Sequence, residues 1–256
     1  MTHPAYGVLR PVTDTASVLL CNNPNVMTLE GTNTWVLRGP GSDEMVVVDP
    51  GPDDDEHLAK LADLGPIPLV LISHKHDDHT GGIDKIRDAT GATVRAVGSG
   101  FLRGLGGPLT DGEVIDAAGL KITVMATPGH TADSLSFLVD GAVLTADTVL
   151  GRGTTVIDDE DGSLTDYLES LRRLQGLGSL RVLPGHGPEL DDLAAVTTMY
   201  LAHREERLDQ VRAALRALGE DATARQVVEH VYTDVDEKLW DAAEKSVRAQ
   251  LDYLRA

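Results

Sequence analysis

The sequence contains a single cysteine, Cys21, among 256 residues. One cysteine excludes an internal disulfide and any zinc site built from several thiolates. No run approaches the ~20 consecutive apolar residues of a transmembrane helix. The first residues, 1–7, lack the basic and apolar regions of a secretory signal peptide. These absences lead us to expect a cytoplasmic protein without a membrane partner.

Positive charge is also scarce: 22 Lys and Arg stand against 41 Asp and Glu, for a net charge of -19. Contacts between basic side chains and phosphates supply most of the affinity of nonspecific binding to nucleic acid, and anionic membranes attract basic surfaces in the same way. The charge therefore disfavours both partners, although it does not exclude a basic strip around an active site. Length and composition fit one large α/β domain, or one domain with a small appendage.

The most informative stretch is a histidine-rich loop at residues 73–82. It holds four candidate metal ligands within six positions, and only 9 of the 256 residues are histidine. An apolar run at 69–72 predicts a buried strand before the loop, and residues 83–89 read as a helix after it. A strand-to-helix loop aims several side chains at one point, so His74 and His76 are placed to share one metal. Asp78 and His79 are placed to reach a second metal nearby. The alternative interpretation is an exposed polar loop.

Three later residues are candidates for completing a two-metal cage: His130, Asp147 and His186. Each follows a predicted apolar strand, at 120–126, 142–145 and 180–183, and has Pro or Gly close by or a tight turn at the strand end. Taken singly, each is more often a turn residue or a polar surface group. Their joint occurrence with the histidine-rich loop is far more specific.

The rest of the chain divides near residue 190. Residues 1–190 alternate short strands with helices, including a loop at 22–27 that is long enough to reach over a site and a glycine-rich surface loop at 98–110. Residues 191–256 read as helices only, at 191–218, 223–231 and 237–254. We therefore predict a catalytic domain at 1–190 and a small helical domain at 191–256.

Ser163 is the predicted N-cap of a helix with an apolar stripe.

The order His74-x-His76-x-Asp78-His79, followed by His130, Asp147 and His186, resembles the metallo-β-lactamase superfamily. The resemblance implies an αβ/βα four-layer sandwich with two metals at one edge of its sheets. It implies that the first metal is bound by His74, His76 and His130. The second metal would be bound by Asp78, His79 and His186, and Asp147 would bridge both. It also implies that Asp49 supports the histidine loop from behind the ligands.

Four further segments, at 27–35, 151–156, 184–188 and 200–207, are similar to the lactamase-β-like subgroup. Its best-known member is a mitochondrial single-strand endoribonuclease, and the subgroup carries a winged-helix-like C-terminal domain. The sequence ends where the third helix of that domain would lead into the β-wing. We expect the missing wing to weaken a role in nucleic-acid binding.

A two-metal site implies hydrolytic chemistry. Metal binding lowers the pKa of water from about 15.7 towards ~7, so a hydroxide shared by two metals is a nucleophile at neutral pH. Asp78 would bind one metal and orient that hydroxide. The histidine-rich ligand set suits two Zn²⁺, and Mn²⁺ or Fe is also compatible. Ser73 lacks a Gly-x-Ser-x-Gly context and Cys21 lacks an activating partner, so both are weaker candidates for a nucleophile.

Four residues of the long C-terminal helix fall on one face at helical spacing. One interpretation is that they bind an anionic part of the substrate next to the metals. The other is a salt-bridge network between domains that involves Glu205, Glu206 and Asp209. The four residues are Tyr200, His203, Arg204 and Arg207.

We predict a binuclear metal-dependent hydrolase, with a small thioester, ester or lactam as the first choice of substrate. The alternative is a single-stranded RNA endonuclease, and a redox or regulatory protein is a third possibility. The charge and the missing wing favour the small substrate, whereas the subgroup similarity favours RNA. A strip of basic residues around the cleft would favour RNA. An apolar pocket with one or two cations would favour the small substrate. The strip would be built from Arg95, Arg103, Arg152, Arg204 and Arg207. The sequence does not reveal the oligomeric state.

Overall fold

Two β-sheets lie face to face in this computed structural model, which describes residues 5–158, 160–231 and 240–255. The first sheet has its six strands in chain order, and its first three pairings are antiparallel and its last two parallel. The change in direction follows from the connections, because tight loops join antiparallel strands whereas parallel strands need a helical crossover. The strands are β1 (Leu9–Pro11), β2 (Ala16–Leu20), β3 (Asn33–Leu37), β4 (Val46–Val48), β5 (Leu69–Leu71) and β6 (Thr93–Arg95).

The second sheet has five strands in the order β11-β10-β9-β8-β7. Only the pairing of β10 with β11 is parallel, and a helix, α4 (Leu164–Gln175), connects these two strands. Along residues 120–124 of β8, buried side chains alternate with more exposed ones, as the geometry of a strand predicts. The strands are β7 (Val114–Ala117), β8 (Leu120–Ala126), β9 (Leu135–Val139), β10 (Ala142–Ala146) and β11 (Arg181–Pro184).

Helices cover the outer face of each sheet, and an apolar core fills the space between the sheets. The core between the sheets includes Trp35 and Phe137. Helices α1 (Asp55–Ala62) and α3 (Ile83–Thr90) pack on the first sheet, and α4 packs on the second. Burial of this apolar surface is the main driving force for folding. The predicted αβ/βα four-layer sandwich is confirmed.

The long helix α5 (Leu193–Leu218) belongs to two apolar cores. Its residues up to Leu208 pack with α4 against the second sheet. From Val211 onward it packs with α6 (Ala224–Val231) and α7 (Trp240–Arg255) in a separate cluster. The helix therefore ties the sandwich to the C-terminal helices, and the change of core occurs within α5. The domain boundary near residue 190 stays a prediction.

Several helix ends follow the expected capping rules. The side chain of Ser163 accepts a hydrogen bond from the Asp166 amide, as its predicted N-cap role requires. Asp192 caps α5 in the same way, and α5 ends at Gly219. Satisfying the free amides at a helix start is worth about 1 kcal/mol per cap.

Two local features differ from the sequence prediction. Strand β1 was not predicted because three residues give too short a pattern, and the 98–110 loop contains a short 3₁₀ helix at Ser99–Phe101. The predicted start of the third C-terminal helix, at 237–239, lies outside the described residues. Within the described ranges, none of the helices has the length and apolar sequence of a membrane span.

Candidate metal centre

The predicted ligands lie along one edge of the sandwich, at the carboxyl ends of four strands. The turn after β5 and the short helix α2 (Asp77–Thr80) carry four of them, and one follows each of β8, β10 and β11. The ligands that follow strands of the second sheet meet at one edge, because β8, β10 and β11 run in the same direction. The structure thus brings together the whole predicted set: His74, His76, Asp78, His79, His130, Asp147 and His186.

Three histidines form the first half of the centre. The Nδ1 atom of His76 lies 3.0 Å from Nε2 of His74 and 3.1 Å from Nε2 of His130. The rings meet edge to face, so the three nitrogens point at one another rather than stacking. Three imidazole nitrogens directed at one point form a ligand set typical of Zn²⁺ and other divalent transition metals.

One aspartate and two histidines form the second half. Nε2 of His186 lies 3.1 Å from Oδ2 of Asp78 and 3.3 Å from Nε2 of His79. Nε2 of His79 is in turn 3.4 Å from the same Asp78 oxygen. This second group is also compact enough for one cation.

Asp147 lies between the two halves. Its Oδ2 atom is 3.7 Å from Nε2 of His130 in the first half and 3.3 Å from Nε2 of His186 in the second. Its Oδ1 atom is buried, lies 3.5 Å from Nε2 of His79 and has no hydrogen-bond partner within the described part of the chain. A buried carboxylate oxygen without a donor costs free energy unless a cation neutralises it. The residues therefore fit two divalent metal ions with Asp147 shared between them.

Asp49 holds ligands of both halves from behind. Its Oδ2 atom accepts hydrogen bonds from Nδ1 of His79 at 2.9 Å and from Oγ of Ser73 at 2.6 Å. The Ser73 hydroxyl is in turn 2.9 Å from Nδ1 of His74. Asp49 adopts a φ of 56°, an unfavourable conformation that proteins retain mainly at functional sites. The structure thus places Asp49 where the resemblance implied.

Main-chain carbonyls orient two other ligands. Nδ1 of His130 lies 2.6 Å from the Val156 carbonyl oxygen, and Nδ1 of His186 lies 3.1 Å from that of Gly31. Donation from Nδ1 leaves the lone pair of Nε2 directed at the metal position. Sequence reasoning missed these two partners, because a carbonyl is common to every residue and gives no signal in a sequence.

The backbone at Gly185 packs closely against Asp147, and the lack of a side chain there leaves room for the carboxylate. A Cβ atom at position 185 would lie 2.5 Å from Oδ1 of Asp147, so only glycine fits there. Ala146, at the end of β10, has a φ of 44° and follows a shift in register with β11. The left-handed turn at Ala146 directs Asp147 into the centre, and Gly185 leaves room for its carboxylate.

The second half carries opposite charges in the metal-free protein. Burial raises the pKa of Asp78, but the neighbouring His79 and His186 outweigh it and lower that pKa to about 2. Burial likewise lowers the pKa of both histidines, yet the nearby carboxylates raise the pKa of His79 to about 9 and that of His186 to about 11. Asp78 is therefore anionic at neutral pH, and these two histidines are protonated.

The first half is different, because burial outweighs the effect of the nearby Asp147 carboxylate there. It lowers the pKa of His74 well below the ordinary value, and it also lowers the pKa of His130. Both rings are neutral at pH 7, which is the form that binds a metal. Without a metal, His74 and His130 of the first half are thus neutral, whereas His79 and His186 of the second half are protonated.

A cavity of ≈ 460 Å³ opens over the centre. One wall is the 25–29 loop, where Val26 and Met27 are exposed, and another is the 150–156 segment. Arg152 is the one lysine or arginine that lines this cavity in the described part of the chain, and it pairs with Glu30 at 2.6 Å. The rest of the lining combines the apolar side chains of Val26, Met27, Leu29, Leu150 and Val156 with Asn and Thr side chains, main chain and the ligands of the centre.

The expected basic strip does not form around this cavity. Arg95 pairs with Glu113 at 2.6 Å, and Arg103 pairs with Asp84 at the same distance. Of the five candidate arginines, the described walls include only Arg152. The site therefore has the feature that we associated with a small substrate, an apolar pocket with one cation.

The four candidate residues of α5 lie behind the cavity wall rather than in it. The Tyr200 hydroxyl accepts a hydrogen bond from the Leu150 amide at 3.0 Å, and buried Arg204 donates to the Thr155 carbonyl. Half-buried His203 and Arg207 contact each other, with 3.4 Å between Nε2 and Nε. This placement differs from the predicted substrate contact, because Tyr200 and Arg204 point at the main chain of the wall.

The other interpretation, a network of salt bridges between domains, also differs from the structure, because the observed pairs lie within α5. Glu205 and Asp209 pair with Arg212, at 2.6 Å and 2.8 Å.

Cys21 is fully buried, and burial is the main effect that raises its pKa to about 12. A thiol in that state is not a nucleophile at neutral pH, since the thiolate is the reactive form.

Comparisons with known families agree with this geometry. Residues 27–186 match the model of the metallo-beta-lactamase superfamily. Residues 223–256 match the model of the beta-lactamase associated winged helix domain. The predicted family resemblance and the predicted winged-helix-like C-terminal domain are both confirmed.

Individual relatives cover most of the chain. A beta-lactamase-like protein 2 homolog of Caenorhabditis elegans is 31% identical over 96% of this chain and 86% of its own length. An atrochrysone carboxyl ACP thioesterase of Aspergillus fumigatus is 33% identical over 77% of this chain and 64% of its own length. A crystal structure of a beta-lactamase domain protein from Burkholderia ambifaria superposes with a TM-score of 0.83 at 21% identity, covering 99% of this chain and 89% of that one.

Proposed function

The chain belongs to the metallo-β-lactamase superfamily of hydrolases, and on that premise we propose that it hydrolyses a small thioester, ester or lactam with two metal ions. The observation that carries the proposal is the position of the two-part ligand cluster at the floor of an open cavity of ≈ 460 Å³. Cavities of this size, apolar with a few polar groups, are typical of small-molecule sites.

The residues that would hold the first ion are His74, His76 and His130, and those for the second are Asp78, His79 and His186, with Asp147 between them. Zn²⁺ suits this donor set, and Mn²⁺ or Fe is compatible with it. Divalent ions bound here supply a water-derived nucleophile at neutral pH and polarise the carbonyl under attack.

The chain's own residues contribute position and charge. The Asp78 carboxylate lines the cavity and, with its pKa near 2, stays anionic, so it accepts a hydrogen bond from water and orients it. Asp49 and the Val156 carbonyl hold the histidine rings in place, which avoids reorganisation when substrate binds.

The cavity walls favour an acyl substrate that carries one anionic group. Val26, Met27 and Leu150 offer apolar surface to an acyl chain. Arg152 pairs with Glu30 at 2.6 Å, and a carboxylate or phosphate of the substrate would share this guanidinium with Glu30 or displace it. The Aspergillus fumigatus relative bears the name of a thioesterase, which adds support for a thioester. We therefore place an acyl thioester first among the small substrates.

Single-stranded RNA is the alternative, and the winged-helix match at 223–256 is the observation in its favour. An RNA backbone, however, presents a row of phosphates that require a matching row of cations. Arg152 supplies one within the described walls of the cavity. The small substrate is for this reason our first choice.

The test is turnover by metal-loaded protein on two panels, one of chromogenic thioesters, esters and lactams and one of short single-stranded RNA. An Asp147→Ala variant and a chelator-treated sample run beside each panel. We expect acyl turnover that both controls abolish. RNA cleavage that both controls abolish would replace our first choice by the alternative, and activity that survives both controls would refute the metal-dependent mechanism.

The role of Arg152 is tested separately. We expect Arg152→Ala to raise KM for an anionic thioester about tenfold, the loss of one charge-assisted hydrogen bond, with a smaller change in kcat. Arg103→Ala, which removes an arginine outside the cavity, is the matched control and should leave KM unchanged. Equal effects of the two variants would contradict a contact between Arg152 and the substrate.

A further inference from the structure

Arg204 is a buried cation that contacts the main chain near the metal centre. It lies on α5 with only 5% of its surface exposed, and its guanidinium donates to the Thr155 carbonyl. Its Cζ atom lies 4.9 Å from the centre of the Tyr167 ring. Burying a charge is costly unless the charge is paired or hydrogen-bonded, and these two contacts offset part of that cost. The buried Nε atom has no hydrogen-bond partner in the described part of the chain.

The segment that Arg204 contacts also holds metal ligands. The Thr155 hydroxyl donates to the carbonyl of Asp147 at 2.5 Å, and the next carbonyl, that of Val156, accepts from Nδ1 of His130. Two adjacent residues thus contact the shared ligand and one ligand of the first half. A shift of this segment would move both ligands together.

The ring beneath Arg204 fixes the same region at a second point. The Tyr167 hydroxyl donates to the carbonyl of Thr148 at 2.7 Å, directly after Asp147 in the chain. Tyr200, one turn before Arg204 on α5, holds Leu150 through its hydroxyl. The loop after β10 is therefore held from behind by α4 and α5.

We propose that Arg204 is a positioning residue that fixes Asp147 and His130 through the 155–156 main chain, and so couples α5 to the metal centre. Since α5 also packs with α6 and α7, the C-terminal helices share in this coupling. The role differs from substrate binding, because the Arg204 side chain faces the wall from outside the cavity. It acts on the geometry of the ligands whatever the substrate is.

The experiment measures metal binding, which does not depend on the identity of the substrate. Co²⁺ is titrated into the metal-free full chain, with visible absorption reporting ligand geometry and competition with a chelator reporting affinity. The variants are Arg204→Met, which keeps the length of the side chain, and Arg204→Lys, which keeps the charge. Arg212→Met is the matched control, because Arg212 lies on the same helix with its side chain on the surface. Circular dichroism checks the fold of each variant.

We expect Arg204→Met to weaken Co²⁺ binding roughly 10- to 100-fold, the range for a partner that orients metal ligands, and to alter the absorption spectrum. Arg204→Lys should recover part of the affinity, and Arg212→Met should match the unmodified protein. A folded Arg204→Met protein with unchanged affinity and spectrum would overturn the proposal while leaving the proposed function intact. Failure of the unmodified protein to bind Co²⁺ would overturn both.

A second variant covers the case in which Arg204→Met does not fold. Thr155→Val removes the hydroxyl that donates to the Asp147 carbonyl but keeps the volume of the side chain. We expect it to weaken Co²⁺ binding severalfold with a change in the spectrum, as one lost hydrogen bond predicts. Unchanged binding in this variant would exclude the connection from α5 to Asp147.

Discussion

The two halves of the metal centre are built from similar ligands but held in different ways. In the first half, burial keeps His74 and His130 neutral, and a hydroxyl and a main-chain carbonyl orient them. In the second half, carboxylates surround His79 and His186 and keep them protonated without metal. Similar ligand types thus give one half that is ready to bind a cation and one that must first release protons.

This difference teaches that ligand identity alone does not set metal affinity. The charge and partner of each ligand decide how pH and substitution change binding. We expect the first half to retain its ion under conditions where the second half loses its own. Substitutions and changes of pH should therefore either separate the two halves or remove the difference between them.

Asp147→Asn should have the largest effect, because Asp147 contacts both halves. Asparagine keeps the shape but removes the negative charge, so both ions should bind more weakly and kcat/KM should fall roughly 10³-fold, equivalent to several kcal/mol of transition-state stabilisation. Elemental analysis and steady-state kinetics measure the two effects. A variant that retained two ions per chain at full activity would show that the halves do not depend on this residue.

Metal affinity should depend on pH mainly in the second half. His79 and His186 have a raised pKa, about 9 and about 11, so each holds a proton at pH 7 that metal binding must release. Affinity should therefore rise with pH below these values, by up to ~100-fold per pH unit for two protons released, and level off above them. A pH indicator in weak buffer counts the protons: about two for the second half and none from His74 or His130. Equal release from both halves would contradict the comparison.

Asp49→Asn should weaken mainly the second half. The substitution replaces the carboxylate that accepts from Nδ1 of His79, which should lower the affinity of that half roughly 10- to 100-fold. The effect on the first half should be smaller, because Asp49 reaches His74 only through Ser73. A two-phase Co²⁺ titration separates the two affinities. A larger loss in the first half would reverse our assignment.

Ser73→Ala should have the smallest effect and the opposite preference. It removes the hydroxyl next to Nδ1 of His74, a neutral partner worth about 1 kcal/mol, so the affinity of the first half should fall about fivefold. The number of protons released on binding should stay the same. The same titration measures both quantities, and a loss as large as that of Asp49→Asn would mean that both partners act as one unit.

The sequence predicted which residues meet at the candidate centre, because these residues occupy positions with strong local signals. Four lie in one short loop, and the others follow apolar strands whose ends meet once the sheets form. The composition and the pattern of strands and helices predicted an α/β domain, and the resemblance to the metallo-β-lactamase superfamily implied the four-layer sandwich. These features depend on residue type and spacing, which are the information that a sequence holds.

What the sequence did not reveal depends on contacts between distant main-chain and side-chain atoms. The face of α5 with Tyr200 and Arg204 was predicted from its helical spacing, but spacing does not tell whether the face meets a substrate or a main chain. The division of α5 between two cores was hidden for the same reason, since both halves of the helix carry apolar residues. The three-residue strand β1 gave too short a pattern to recognise.

The carbonyl groups of Val156 and Gly31 that orient His130 and His186 have a consequence for how this protein tolerates mutation. A point substitution at 156 changes a side chain but leaves the carbonyl in place, so the Val156 support cannot be lost by a simple exchange of residues. Gly31 is different, because a Cβ atom there would lie 2.0 Å from the Cys21 carbonyl oxygen and would displace the backbone. Asp49 and Ser73, in contrast, can each be removed by one nucleotide change. Random mutagenesis should therefore find changes that weaken metal binding at 49, and smaller ones at 73, more readily than at 156, where only a change that moves the backbone would disturb the histidine.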